Sequence, residues 1–550
     1  MRRTGVVLFL LCLSLAHGQT VTQTELHSLP QPSPTDGGFT VAYVLQAADQ
    51  SFYGFADNPG LLFSFTTAGG YDLISNPSVP KFGTNMIQGP DGRFYGPSAD
   101  GDNIVAMTTL GKITAYSMPF DISSQQYPDG NDVVGLTLGS DGNFYGVAAE
   151  GGSAPTNGGE DPGYGAVFRM TPKGAFSLIY SFTDGTDGAN PEQILLQGSD
   201  GNFYGSTNSG ASLGHGTLFR LTPQGSLTTL HDFGSGDYPP INPMVEMSNG
   251  LYGIHDFVTD DQDVLYKINS AGTYSAFLTE PDGESGNGLG TALTLGSDGN
   301  LYAAAGDTVF QITPAGAENT YYTEADETES PFQANIVQGS DGNLYGAYGY
   351  IGQLSQSPAL PPPVQVALNA SAVMPGTSVT ASVKVLNAFS LTLQQCYAFQ
   401  NGTPLGKVPG AYSSSTKLYT FSTSFTPTTP GAYNYAVTCG GIESGYATLQ
   451  VGYPTTITLT ATPQTVTPPG NVQLAATVAR TGSNGVPTGT VTFYYETLAL
   501  GSATLNGSGV ATLSASSSGV AAGSYAITAQ YSGDAEDAAS TSAASAVTVE

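Results

Sequence analysis

In GTLFRLT (216–222) apolar and polar residues alternate, the period of a β-strand with one face buried. Around it stand QILLQGS (193–199), NFYGST (202–207) and SLTTLHDF (226–233), three more short runs that read as strands. Asp200-Gly201 separates the first two. Glycine takes positive φ freely and aspartate tolerates it, so the pair suits a tight hairpin. PQG (223–225) makes a second turn between the last two strands, and PKG (172–174) and PAG (314–316) repeat it elsewhere. The pattern predicts one four-stranded sheet, with 193–199 innermost and 226–233 outermost.

The unit recurs. GSDGNFYG stands at 139–146 and again at 198–205, with GSDGNLYA at 296–303 and GSDGNLYG at 339–346. Aligned on the two residues that follow the turn, the units begin their second strands at Phe52-Tyr53, Phe94-Tyr95, Phe144-Tyr145, Phe203-Tyr204, Leu251-Tyr252, Leu301-Tyr302 and Leu344-Tyr345. The intervals are 42, 50, 59, 48, 50 and 43 residues. A period of that size, filled with short strands, predicts an all-β chain with a seven-bladed β-propeller over 19–358. The seventh unit offers no fourth strand after GQLSQSP (352–358). TELHSLP (24–30) resembles the outer strand LTTLHDF (227–233) and precedes the first inner strand. Residues 21–29 are therefore expected to close the last blade, which removes an open sheet edge.

The segment LIYSFTDGTDGANPEQILLQGSDGNFYGSTNSGASLGHGTLFRLTPQGSLTTLHDF (178–233) resembles the GloVer tandem repeat of the choice-of-anchor type. The resemblance spans roughly 20–358 and is strongest in the third and fourth units. AADQSFYG, GPDGRFYG and MSNGLYG depart from it in the first, second and fifth. It implies an exported bacterial protein with a propeller, and no defined activity.

A Pro-rich stretch, 359–363, reads as a stiff linker. Two stretches of alternating short strands follow, 364–452 and 454–550, and each predicts an Ig-like β-sandwich. The second resembles the bacterial Ig-like repeat domains strung along surface proteins. In the first, Cys396 and Cys439 fall on two predicted strands and are expected to bond across neighbouring strands. The closed loop of 43 residues is worth roughly 4 kcal/mol in the chain-entropy picture. The sandwiches are expected to serve as a stalk.

Composition places the chain outside the cell. Residues 1–18 have the basic start, short apolar run and small-residue end of a secretory signal, too short to span a bilayer. Two cysteines remain after it, the even pair of an oxidising compartment. Between 19 and 358 stand 37 acidic and 7 basic residues, against 6 and 4 from 359 onward. So acidic a surface speaks against nucleic acid or anionic lipid as partners, and the expectation is no membrane insertion.

Candidate chemistry is sparse. The repeated Asp141, Asp200, Asp298 and Asp341 lie in similar turns spread around a rim, so they read as structural. The loops at the opposite face vary, and there His215, His255 and Tyr164 are the candidate ligand-binding residues. Tyr164 sits in the longest variable loop, 149–165, and would stack on a sugar. His27 and His231 occupy equivalent outer-strand positions and read as structural. No catalytic residue and no cofactor is expected. TDGTDGAN (183–190), DGDN (100–103), DDQD (260–263) and EADETE (324–329) are oxygen-rich and would suit calcium, without EF-hand spacing. The sequence thus reads as a non-catalytic binding or adhesion protein for a carbohydrate or protein ligand. A propeller lyase or glycoside hydrolase with accessory sandwiches, and a structural surface component, are the alternatives.

Overall fold

The computed structural model describes residues 20–29, 41–56, 61–74, 82–83, 85–119, 127–128, 130–153, 163–235, 239, 243–257, 262–269, 271–281, 293–305, 308–323, 335–348, 350–390, 392–441, 443–481 and 485–550. The expected signal, 1–18, lies outside them. The chain is all-β and forms two compact units. One comprises Met1–Val366, Val383–Phe421 and Ala436–Tyr446; the other comprises Ala367–Ser382, Ser422–Tyr435 and Ala447–Glu550.

In the first unit, the described residues up to 357 form seven antiparallel sheets in chain order, over 41–73, 87–117, 131–181, 189–232, 245–281, 294–323 and 337–357. Six are meanders of consecutive strands. The seventh takes its outer strand from the other end of the chain: Thr20–Ser28 pairs antiparallel with Tyr350–Ser357, from Thr20 opposite Ser357 to Ser28 opposite Tyr350. The innermost strands of the second, fourth, sixth and seventh sheets are shorter than the pattern suggests. In the fourth sheet only Leu196–Gln197 of 193–199 is strand, and Ala189–Pro191 precedes it, both paired to Phe203–Ser209.

Neighbouring sheets meet through the aromatic pair of the repeat. Tyr53 packs on Phe94 with ring centres 4.5 Å apart, Tyr95 on Phe144 at 4.3 Å, and Tyr145 on Phe203 at 4.3 Å. Tyr345 of the seventh sheet packs on Phe52 of the first at 4.3 Å, so the last sheet meets the first by the same contact. Such pairs add about 0.5–1.5 kcal/mol each beyond the area they bury. The outer-strand histidines repeat as well. His27 stacks on Tyr71 at 4.1 Å and His231 on Tyr274 at 3.9 Å, each a contact to the outer strand of the next sheet.

The expected linker is no free spacer. Leu360 is buried among Val21, Tyr302, Ile336, Leu344 and Leu354, and the Pro361 carbonyl accepts a hydrogen bond from Ser297 Oγ at 2.6 Å. Nor does 364–452 form a compact unit of its own, because its residues divide between the two units. Tyr397, Phe399 and Ala436 join the buried cluster of the second and third sheets. Cys396 and Cys439 are bonded, with Cα atoms 4.1 Å apart, across strands Cys396–Gln400 and Gly431–Cys439, which are neighbours in one sheet.

In the second unit, 455–549 folds as two sheets. Strand Asn471–Arg480 shows how its pattern works: Val472, Leu474, Ala476 and Val478 are buried in turn while the residues between them face out. At one edge Arg480 bonds Asp537 through Nε at 2.5 Å and Nη2 at 2.9 Å, and stands 4.6 Å over the Tyr453 ring.

Candidate functional site

Each meander has two ends. Tight hairpins join strands one to two and three to four at one end, here the turn end. The connections from two to three and onward to the next sheet lie at the other, the loop end.

At the turn end the repeated carboxylates are fully engaged. Asp49, Asp91, Asp141, Asp200, Asp298 and Asp341 each accept the backbone N–H two residues on, at 3.0–3.2 Å. Each also accepts the hydroxyl of the repeat tyrosine four residues on, at 2.6–3.0 Å. In the fifth sheet Asn249 does the same for Tyr252 at 2.9 Å. Burial, then the adjacent carboxylate, push the Tyr145 hydroxyl up to about 12. Both oxygens of each aspartate are thus bonded within its own hairpin, so these carboxylates serve the turn.

Sequence reading missed a second device at this end. Gln46, Gln88, Gln197 and Gln338, each on an innermost strand, donate from Nε2 to a carbonyl of their own turn at 3.1 Å. Their Oε1 atoms accept from the turn of the preceding sheet: Ala48 N to Gln88, Ser140 N to Gln197, Ser297 N to Gln338, and Ser340 N to Gln46, at 2.7–2.9 Å. The last of these joins the seventh sheet to the first. Where the second sheet carries Pro90, with no N–H to give, the third carries Leu138 in place of glutamine. Between the fourth and fifth sheets Glu246 takes the part, accepting from Ser199 N at 2.8 Å and Ser199 Oγ at 2.5 Å. Burial holds its carboxyl above the ordinary range, partly offset by those two bonds.

The turn end is also covered. Gln88 N donates to the Gly441 carbonyl at 2.8 Å, Ser444 Oγ to the Gln46 carbonyl at 3.0 Å, Lys407 Nζ to the Ser140 carbonyl at 2.9 Å and Asn387 Nδ2 to the Gly296 carbonyl at 2.9 Å. The turn glycines take part. Gly92, Gly142 and Gly299 have φ of 82°, 81° and 85°, and the space a Cβ would fill there is bounded by Phe399, Tyr397 and Asn387 respectively. Four sheets thus present their turns to one side, and residues of 387–421 and 436–444 occupy it.

The loop end differs. Its described part is densest over the third and fourth sheets, where Asp132, Asp184, Asn190 and Ala211 hold positive φ of 57°, 57°, 53° and 69°. Non-glycine residues in that region are strained and need surrounding bonds to persist. Those bonds are present. Buried Asp187 accepts from Thr183 N at 2.9 Å, Thr183 Oγ1 at 2.6 Å and Tyr180 at 3.0 Å. Ala211 N donates to Gly185 O at 2.9 Å, and Ser212 N to Asp232 Oδ2 at 3.1 Å. Leu213 is held out at the tip, 58% exposed.

Two of the three candidate residues belong to this cluster. His215 bridges to Gly210 at the base of the tip, half-buried. The Tyr164 carbonyl accepts from Asn190 N at 2.9 Å, but its ring is half-buried against the core between the third and fourth sheets, and so is no open platform for a sugar. Most of its loop, 154–162, lies outside the described residues. His255 is not in a loop. The ladder of Gly250–Phe257 with Gln262–Ile268 runs on past it, so it is buried inside a strand, with Nε2 2.6 Å from Tyr274 Oη and Phe233 and Tyr266 around it. Among the described residues no three His, Cys, Asp or Glu side chains gather closely enough to hold a metal. The stretch 324–329 and residues 260–261 lie outside those residues.

These features define an all-β chain of propeller-like repeats with an Ig-like carboxyl-terminal part. More narrowly, residues 82–307 match the Gloeobacter/Verrucomicrobia repeat, and residues 459–550 match the bacterial Ig-like domain of group 3. No curated protein matches. Among solved structures the chain is similar to a streptogramin B lyase, at 15% identity over 61% of this chain and 98% of that one, with a TM-score of 0.42. It is similar to virginiamycin B lyase from Staphylococcus aureus at 15% identity, 61% and 99% coverage, and a TM-score of 0.42. The fibronectin(III)-like modules of Clostridium thermocellum CbhA match at 15% identity over 34% of this chain and 93% of that one, with a TM-score of 0.20.

Proposed function

We propose that this is an exported, non-catalytic binding protein that takes a carbohydrate or protein ligand at the loop end of its third and fourth sheets. In this reading the seven sheets are the blades of one ring, closed by Thr20–Ser28, and residues 1–18 are a cleaved secretory signal. Residues 364–452 and 454–550 are two Ig-like modules that serve as a stalk, and those residues of the first that belong to the first unit lie on the turns. The observation that carries the reading is the division between the ends. The turn end is spent on itself and on residues of 387–421 and 436–444, while the loop end presents strained, tightly bonded loops with Leu213 exposed and His215 half-buried.

The test is a glycan, polysaccharide and protein binding screen of the full mature chain, with and without calcium, with product analysis on every hit. Binding without turnover that is lost in Leu213→Ala/His215→Ala supports the reading. Product formation overturns it in favour of an enzyme, and binding unaffected by the double variant moves the site elsewhere. A hit that requires calcium would assign the ion to the acidic loops.

A further inference from the structure

Inside the first unit the innermost strands of the first, fourth, fifth, sixth and seventh sheets surround a cavity of about 200 Å³. Its walls include Leu196, Val245, Leu295 and Val337, and its floor is Ser390, Thr392 and Leu393, from the segment that follows Asn387 on the turn end. The floor is anchored. Cys396, bonded to Cys439, follows it directly, and Gly440 N donates to the Gln395 carbonyl at 3.0 Å.

The polar side chains around the cavity are nearly all engaged. Asn335 gives and takes a bond with Val44, both at 2.9 Å. Gln338 and Glu246 serve Ser297 and Ser199, and Thr294 Oγ1 donates to the Ile336 carbonyl. Ser390 Oγ accepts from Leu393 N at 3.2 Å. One hydroxyl stands apart: Thr392 Oγ1 is buried with no hydrogen-bond partner. The Tyr43 phenol also lines the space. Burial pushes that phenol up to about 12, so it stays a neutral donor.

From this we infer a second binding site: a pocket, floored at the turn end, for a small neutral molecule with an apolar body and one hydrogen-bonding group. An anionic occupant would lose its hydration with no positive charge in the lining to replace it, and the Glu246 carboxylate already takes two hydrogen bonds from Ser199. A sugar needs many polar partners, and nearly all of those present are taken. Apolar cavities of about 150 Å³ stay dry and accept benzene, so a one-ring molecule suits this size. The site is independent of the loop-end reading and stands or falls apart from it.

Phenol and benzene are the probes, applied to the full mature chain, with melting temperature and calorimetric affinity as readouts. Both are expected to raise the melting temperature, phenol at the lower concentration. Tyr43→Phe and Thr392→Val should each weaken phenol by about three- to ten-fold and leave benzene unchanged, the size of one buried hydrogen bond. Val337→Phe, which fills the space, should abolish both responses; if it does not fold, Leu295→Phe serves the same purpose. Neither probe shifting the wild-type chain at millimolar concentration overturns the site, as does a shift that survives filling.

Discussion

The claim that residues 359–363 are seated, not a free spacer, can be tested at one atom. Gly342 is the glycine of the seventh hairpin, at φ 87°, and a Cβ there would overlap the Leu360 carbonyl oxygen. Gly402, at φ 75°, has nothing within 4 Å of the same position. Alanine at either site carries the left-handed backbone penalty of about 1–2 kcal/mol. At Gly342 it must also displace a backbone carbonyl. That carbonyl is tied to buried Leu360 on one side and to the Pro361 bond with Ser297 on the other. Forcing an extra methyl into a packed site adds about 1–3 kcal/mol. The expected losses are therefore about 2–5 kcal/mol for Gly342→Ala and about 1–2 kcal/mol for Gly402→Ala. Urea unfolding of the two full-length variants, followed by tyrosine fluorescence, measures both. If the losses are equal, Leu360 is not held against the seventh turn and the chain leaves the seventh sheet as a free linker.

Three further outcomes follow from the same contacts. Deleting residues 19–28 removes the strand paired to Tyr350–Ser357 and should leave an insoluble or unstable chain, so an unchanged melting temperature would refute closure by that strand. Glu246→Gln keeps an acceptor for Ser199 N and can donate to Ser199 Oγ, while removing a buried charge. The carboxyl's folded pKa is raised above the ordinary 4.5, so the wild-type penalty is absent below that value and grows as pH rises through the folded one. The variant should therefore melt higher than wild type near ~pH 7 and lose that margin near ~pH 4; the reverse order would show a favourable charge interaction at Glu246. Arg480→Met strands the fully buried Asp537 carboxylate and should destabilise the carboxyl-terminal sandwich by about 3–5 kcal/mol in chemical denaturation, and a loss under 1 kcal/mol would discount the ion pair.

What the sequence made legible is what repetition and period encode. The turn, the aromatic pair and the alternation in 216–222 each follow from local chemistry, and sevenfold return shows them to be parts of a larger fold. The equivalence of His27 and His231 was legible for the same reason, and both make the same stack. The glutamine clamps were visible in four of the seven units, yet their meaning lies between units, where a single repeat is silent. Leu138 opposite Pro90 is the clue to that: a missing acceptor is informative only once the donor it would have met is known. His255 was misplaced because a strand that outlasts its motif carries no local mark of its end. The seating of residues of 387–421 and 436–444 on the turns was illegible for a deeper reason. It depends on glycines whose recurrence was already explained by the hairpin, so the sequence offered no residue left over to signal a second use. That is also why the search for function moves to the loop end. A feature repeated in every unit is accounted for by the sheets themselves, whereas the strained loops around Asp184, Asn190 and Ala211 differ from unit to unit.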